Sequence, residues 1–135
     1  MQMQWVTVQA AMRERGIDAW LVYDFRGSNP VLWQLLGERR QTTRRVCLCL
    51  RREGEPVLLG SAVEPQVLAG MGVPLDHYIS REEFREKLAT WLKKGERVAM
   101  EYSPGGELPI LSWVDGGTLD MVRSLGVEIV SSADL

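Results

Sequence analysis

The chain has one histidine and two cysteines in 135 residues, and the cysteines lie about thirty residues from His77. That is too little for a zinc centre of the Cys/His kind. No apolar run approaches the roughly 18 residues a membrane-crossing helix needs, and no basic, apolar leader opens the chain. A soluble, cytoplasmic protein is expected. Sixteen Lys and Arg against eighteen Asp and Glu leave a net charge of −2, which speaks against broad electrostatic capture of nucleic acid or an anionic membrane. The phosphate-cradling patterns G-x-G-x-x-G and G-x-x-x-x-G-K-[ST] are missing, and Gly105-Gly106 and Gly116-Gly117 read as turns. No G-x-S-x-G elbow supports a Ser/His/Asp triad around His77.

What remains is ordinary globular material: 45% apolar residues and five tryptophans, enough for one domain over 1–135 with a core of its own. No repeat or linker interrupts it, and helical and extended patterns alternate throughout. Trp5, Val8 and Met12 give helical spacing over 3–15, with Gly16 closing it. Ala19 to Tyr23 is a short apolar strand, and Asn29-Pro30 an N-cap with proline in the first helical position, closed by Gly37. Arg45 to Arg51 is nearly continuous apolar sequence, as in a strand covered on both faces. A turn at 51–55 returns a partner strand over 56–60. A short helix over 65–71 and a strand over 75–79 follow.

Ser80 and Glu83 form a capping box for a helix with Phe84, Leu88, Trp91 and Leu92 on one face. A strand over 97–101, a short helix over 108–113, a helix over 118–125 and a strand over 128–131 complete the pattern. Ser132 to Leu135 reads as a new helix N-terminus, which implies a longer polypeptide. Strands joined through helices predict an α/β fold: a mixed, largely parallel sheet flanked by helices on both faces.

Cys47 and Cys49 share one strand face, roughly 6.6 Å apart, and read as small buried residues rather than a disulfide. Four acidic residues lie near strand or helix ends: Asp24, Glu64, Glu101 and Asp115. Brought together they could hold Mg²⁺ for nuclease chemistry; apart, they cap helices and face water. The arginine pairs Arg39-Arg40, Arg44-Arg45 and Arg51-Arg52 lack interleaved aromatics. They read as solvated strand flanks or as contacts with another domain, Arg44-Arg45 foremost because it enters the buried strand. The run from Leu21 to Pro30 is a strand, a tight polar turn and a capped helix start, so Asp24, Arg26 and Asn29 are held by regular structure on both sides.

That run, with Thr43-Arg44-Arg45, Gly54-Glu55-Pro56, Met100 to Pro104, Val114 to Thr118 and Val122 to Leu135, resembles the N-terminal domain of the aminopeptidase P/prolidase/creatinase family of Xaa-Pro peptidases. The resemblance covers essentially the whole chain. It implies an RNase H-like sheet and a non-catalytic role in shaping substrate access and dimerisation. It also implies a pita-bread catalytic domain, absent from this chain and C-terminal to it, with two divalent metal ions such as Mn or Co. Short Xaa-Pro peptides are the implied substrates, and a homodimer the implied assembly. No catalytic residue or metal ligand carries over to this sequence. Asp24, Arg26, Asn29, Arg44 and Arg45 are the candidates for a substrate rim or domain interface. Two other readings stand beside this one: a stand-alone RNase H-like nuclease using the four carboxylates, and a regulatory module with a deep apolar pocket at the strand ends.

Overall fold

The apolar run at 46–50 becomes the middle of a six-stranded sheet in the computed structural model, which describes residues 2–135. Helix α1 (Met3–Arg15) leads into β1 (Ala19–Phe25), α2 (Pro30–Leu36) and β2 (Arg45–Arg51). Then come β3 (Val57–Ser61), β4 (Leu75–Tyr78), α3 (Arg81–Trp91), β5 (Arg97–Met100), α4 (Gly116–Arg123) and β6 (Glu128–Ser131). The strand order is β4-β3-β2-β1-β5-β6. Only β2 runs against the rest: its pairings with β1 and β3 are antiparallel, and the other three are parallel. The carboxyl ends of five strands therefore share one edge of the sheet with the amino end of β2.

Both faces are covered, as the sequence predicts. Leu21, Tyr23, Cys47, Cys49 and Met100 point toward α3 and α4, where Phe84, Leu88 and Val122 meet them. The alternate residues Trp20, Val22, Leu48 and Leu50 point toward α1 and α2, against Trp5, Met12 and Leu32. Period-2 alternation in strands thus serves two cores at once, which is why β1 and β2 contain so few polar residues. The thiols of Cys47 and Cys49 are free and buried; burial pushes that of Cys49 up to about 12 and that of Cys47 well above its usual value. No helix among the described residues is long and apolar enough to cross a membrane.

Three expected helices come out differently. Residues 65–71 make successive turns instead, with Val67 and Ala69 donating three residues back to Glu64 and Gln66. The segment is too short to sustain an i→i−4 ladder, and Gly70 takes a left-handed φ of 75°. Arg40 also occupies the carbonyls of Val67 (2.8 Å) and Ala69 (2.6 Å). The 108–113 segment contracts to a 3₁₀ turn at Pro109–Leu111. Ser132–Leu135 forms a single turn, Leu135 N donating to Ser132 O at 2.9 Å.

Arg51 and Arg52 are not the solvated flank expected of them. Arg51 donates to the Trp91 carbonyl (2.6 Å) and grips the Glu96 carboxylate through both terminal nitrogens, clasping β2 to the α3–β5 connection. Arg52 donates to Ile17 O at 2.9 Å and pairs with Asp18 at 3.1 Å. The Arg51 hydrogen bond holds the Glu96 carboxyl below the usual carboxylate range, against the opposing effect of burial. A depressed folded pKa means that this stabilisation is complete above the ordinary glutamate value of about 4.3. It is lost as pH falls through the lower folded value. Arg51→Ala should cost about 2 kcal/mol at neutral pH and flatten the acid limb of the stability profile. Urea midpoints measured from neutral to acid pH check this, and a wild-type midpoint for the variant would return Arg51 to ordinary surface.

Candidate functional site

At the carboxyl edge of β1 the chain turns sharply through Phe25-Arg26-Gly27-Ser28. Ser28 N donates to Phe25 O at 3.2 Å, and both central residues are left-handed, with φ 57° at Arg26 and 82° at Gly27. Positive φ at two successive turn positions is the I′ pattern, which glycine accepts freely and arginine adopts at a cost. Asp24 fixes the turn from beneath. Its carboxylate accepts from Gly27 N at 2.9 Å and from Asn29 N at 2.7 Å. Asn29 then caps α2 by accepting from Val31 N at 3.1 Å.

The Asn29 amide also donates to Tyr23 O (2.9 Å) and to Glu101 at the end of β5 (2.7 Å). Glu101 accepts from the Trp20 indole at 2.6 Å as well. Burial pushes the Glu101 carboxyl above its usual range, while hydrogen bonds from Trp20, Ser132 and Asn29 pull it back. Asp24 and Asn29 are each 0% exposed. Every polar atom they offer is directed inward, so they frame the loop rather than form a rim; that part of the sequence expectation is corrected.

The four carboxylates do not assemble into a metal site. Asp24 and Glu101 meet through Asn29. Glu64 instead accepts from Thr43 N and Arg44 N, each at 3.1 Å. Asp115 caps α4 through Thr118 N (3.0 Å) and the Thr118 hydroxyl (2.7 Å). Among the described residues no three His, Cys, Asp or Glu side chains converge to hold a metal ion. The nuclease reading has no geometry to stand on here.

Above this frame lies an open groove of about 690 Å³. Tyr23 and Phe25 from β1, Arg45 from the start of β2, Trp113 and Asp115 from the β5–α4 segment, and Thr118 from α4 line it. The register places Arg45 opposite Phe25. A second hollow of about 490 Å³, bordered by Arg81, Arg85 and Met121, shares Arg45, Asp115 and Thr118 with it. Burial pushes the Tyr23 phenol up; hydrogen bonding from Thr118 and the charge of Arg45 oppose that. The Tyr78 hydroxyl donates to the Arg45 carbonyl at 2.7 Å, holding the start of β2 from below. Trp113 and Val114 both donate to Glu101 O, at 2.9 and 3.2 Å, which ties the far wall to the end of β5. The groove is shallow and mixed in polarity, not the deep apolar pocket that a regulatory module implies.

Of the five candidates, Arg45 lines this groove, Arg26 and Arg44 are exposed nearby, and Asp24 and Asn29 lie underneath. Tyr23, Phe25, Trp113 and Thr118 escaped sequence reasoning. Tyr23 and Phe25 read as ordinary strand apolar residues. Trp113 carries a faint signal: it is a lone large aromatic at the end of a Pro- and Gly-rich stretch, where core packing has little use for one.

No protein-family model and no curated protein sequence matches the chain. Solved structures do. The creatinase/prolidase N-terminal domain of an X-Pro dipeptidase from Streptococcus pyogenes superposes with a TM-score of 0.71 at 14% identity, covering 98% of this chain and 95% of that one. The N-terminal domain of an Xaa-Pro dipeptidase from Lactobacillus brevis gives 0.65 at 15%, covering 98% and 93%. A prolidase from Thermococcus sibiricus gives 0.74 at 15%, with 97% of this chain matched to only 35% of that protein. The fold is that of the creatinase/prolidase N-terminal domain, an arrangement that also occurs as roughly a third of a larger chain.

Proposed function

We propose that this chain is the non-catalytic N-terminal domain of a metal-dependent Xaa-Pro dipeptidase or aminopeptidase of the cytoplasm. In this reading it shapes access of short peptides to a C-terminal catalytic domain of the same polypeptide and contributes to a homodimer. One observation carries the reading. Of the eight large apolar side chains exposed on the described surface, six lie in segments leaving the carboxyl ends of strands: Phe25, Val63, Ile79, Leu108, Ile110 and Trp113. Apolar exposure gathered at one edge is the mark of an interaction surface. Two of the six, Phe25 and Trp113, line the groove itself.

The chemistry of the groove suits the proposed substrate. Proline-containing peptides pack their rings on aromatic faces, and the exposed Phe25 and Trp113 supply these. Arg45 and Asp115 offer charges of both signs for peptide termini. The two divalent ions that such peptidases require belong, in this reading, to the catalytic domain, because Asp24, Glu64 and Asp115 are committed to backbone and caps and Glu101 to the Trp20 and Asn29 side chains.

Two measurements test the proposal. The purified chain should hydrolyse no Xaa-Pro dipeptide with added Mn²⁺ or Co²⁺, since nothing in it would lower the pKa of a bound water. In the parent polypeptide, Trp113→Ala should raise KM for Xaa-Pro peptides with little change in kcat, because a positioning surface is lost far from the bond-breaking atoms. Metal-dependent hydrolysis by the isolated chain, or a wild-type KM for the variant, would each count against the assignment.

A further inference from the structure

A separate cleft of about 310 Å³, sharing no lining residue with the groove, is bounded by Arg26, Gly27, Arg39, Arg40, Gln41 and Thr42. Its charge is one-sided. Arg40 is occupied, donating to the Val67 and Ala69 carbonyls and pairing with Glu38 at 2.8 Å. Among the described residues, Arg26 and Arg39 pair with no carboxylate. Arg39 is held in place: one terminal nitrogen donates to Gly27 O at 3.1 Å. A Cβ at position 27 would lie 2.5 Å from that same nitrogen. Glycine suits the position chiefly through its positive φ of 82°, and a side chain there would also push the Arg39 guanidinium aside.

A protein of net charge −2 thus sets two unneutralised guanidiniums beside one small cleft, where they repel each other unless an anion lies between them. A second observation points the same way. Thr42 lines the cleft, is only 5% exposed, and its hydroxyl is buried with no hydrogen-bond partner. Buried polar atoms are nearly always satisfied by protein, water or an ion, so the Thr42 hydroxyl beside the cleft offers an unfilled hydrogen-bonding position. Two guanidinium forks, a hydroxyl and the Gln41 amide form a donor set spread over several directions. That matches the oxygens of a tetrahedral oxyanion better than the two of a single carboxylate.

We propose that the Arg26–Arg39–Thr42 cleft is a binding site for a phosphoryl oxyanion, either free phosphate or a phosphate monoester. The site is independent of the peptide groove, and its test does not need the peptidase reading. Inorganic phosphate is titrated into the ¹⁵N-labelled chain at constant ionic strength, with phosphoserine and acetate in parallel. Saturable shifts confined to the amides of Gly27, Gln41 and Thr42 are expected with both phosphoryl probes. Arg26→Ala or Arg39→Ala should weaken binding roughly tenfold or more, and the double variant should abolish it while melting as wild type does. Thr42→Val keeps the side-chain shape and should weaken phosphate binding while the Gly27 and Gln41 amides keep their wild-type positions in the absence of phosphate.

Tighter capture of phosphoserine would identify an esterified ligand, and tighter capture of free phosphate the inorganic ion; either supports the site. Three results would overturn it: shifts that never saturate and spread over all exposed arginines, equal binding of acetate, or undiminished binding by the double variant.

Discussion

Replacing Leu48 with Asp should abolish cooperative folding. Leu48 is 0% exposed in β2, opposite Val22 on one side and Leu58 on the other. Its side chain enters the core shared with α1 and α2, where Trp5, Met12 and Leu32 pack. A carboxylate there finds no partner, and an unpaired buried charge costs several kcal/mol even after it neutralises by taking a proton. Domains of this size hold about 5–15 kcal/mol in total, so most of the margin is gone. Leu48→Ala separates charge from packing: it should remain folded with a loss of about 2–5 kcal/mol. Near-ultraviolet circular dichroism and urea midpoints read both variants. A folded Asp variant as stable as the Ala variant would mean that the position reaches water, and the central placement of β2 would be wrong.

The second large effect is expected at Glu101. Two N–H donors, the Trp20 indole and the Asn29 amide, converge on its two carboxylate oxygens within a buried site. Ala leaves both donors unpaired and opens a void, and should cost about 3–5 kcal/mol. Gln keeps the shape but turns one acceptor into a donor facing a donor, so about 1–3 kcal/mol is expected.

The pH dependence runs opposite to that of Glu96. Because the folded pKa is raised, the native state binds more protons than the unfolded chain between the ordinary glutamate value and the folded one. Stability therefore falls as pH rises through that window. Glu101→Gln should remove this slope while lowering stability throughout. A variant that keeps the wild-type slope would place its origin elsewhere.

Much of the fold can be read from local pattern. The Ser80 cap forms as expected, with Glu83 N donating to Ser80 Oγ at 3.1 Å, while the reciprocal half of the capping box shifts by one residue: the Glu83 carboxylate accepts from Ile79 N at 2.6 Å. The apolar run at 46–50 needed no partner to announce a central strand. What escaped local reading depends on distance in sequence. Trp20 and Glu101 lie 81 positions apart, and Asn29 and Glu101 lie 72 apart. No spacing rule links them, so Asp24 and Asn29 looked like rim residues when they are internal struts. Arg51 misled in the same way, since its partner Glu96 is 45 residues on. The groove was half legible: Arg45 announces itself by entering a buried strand, whereas Tyr23 and Trp113 become neighbours only through the β1–β5 pairing and the loop that Glu101 anchors.

The reversed direction of β2 carries a consequence for how such domains diversify. Because Phe25 pairs with Arg45, the chain leaves the sheet and re-enters it at one spot, and everything between is an excursion closed upon itself. Lengthening a closed loop is cheap, about 0.6 kcal/mol for each doubling. Insertions or deletions within residues 37–44 can therefore redraw one bank of the arginine cleft while the strand register stays fixed. Descendants of this fold can change what they admit by editing a single stretch of eight codons, leaving the sheet untouched.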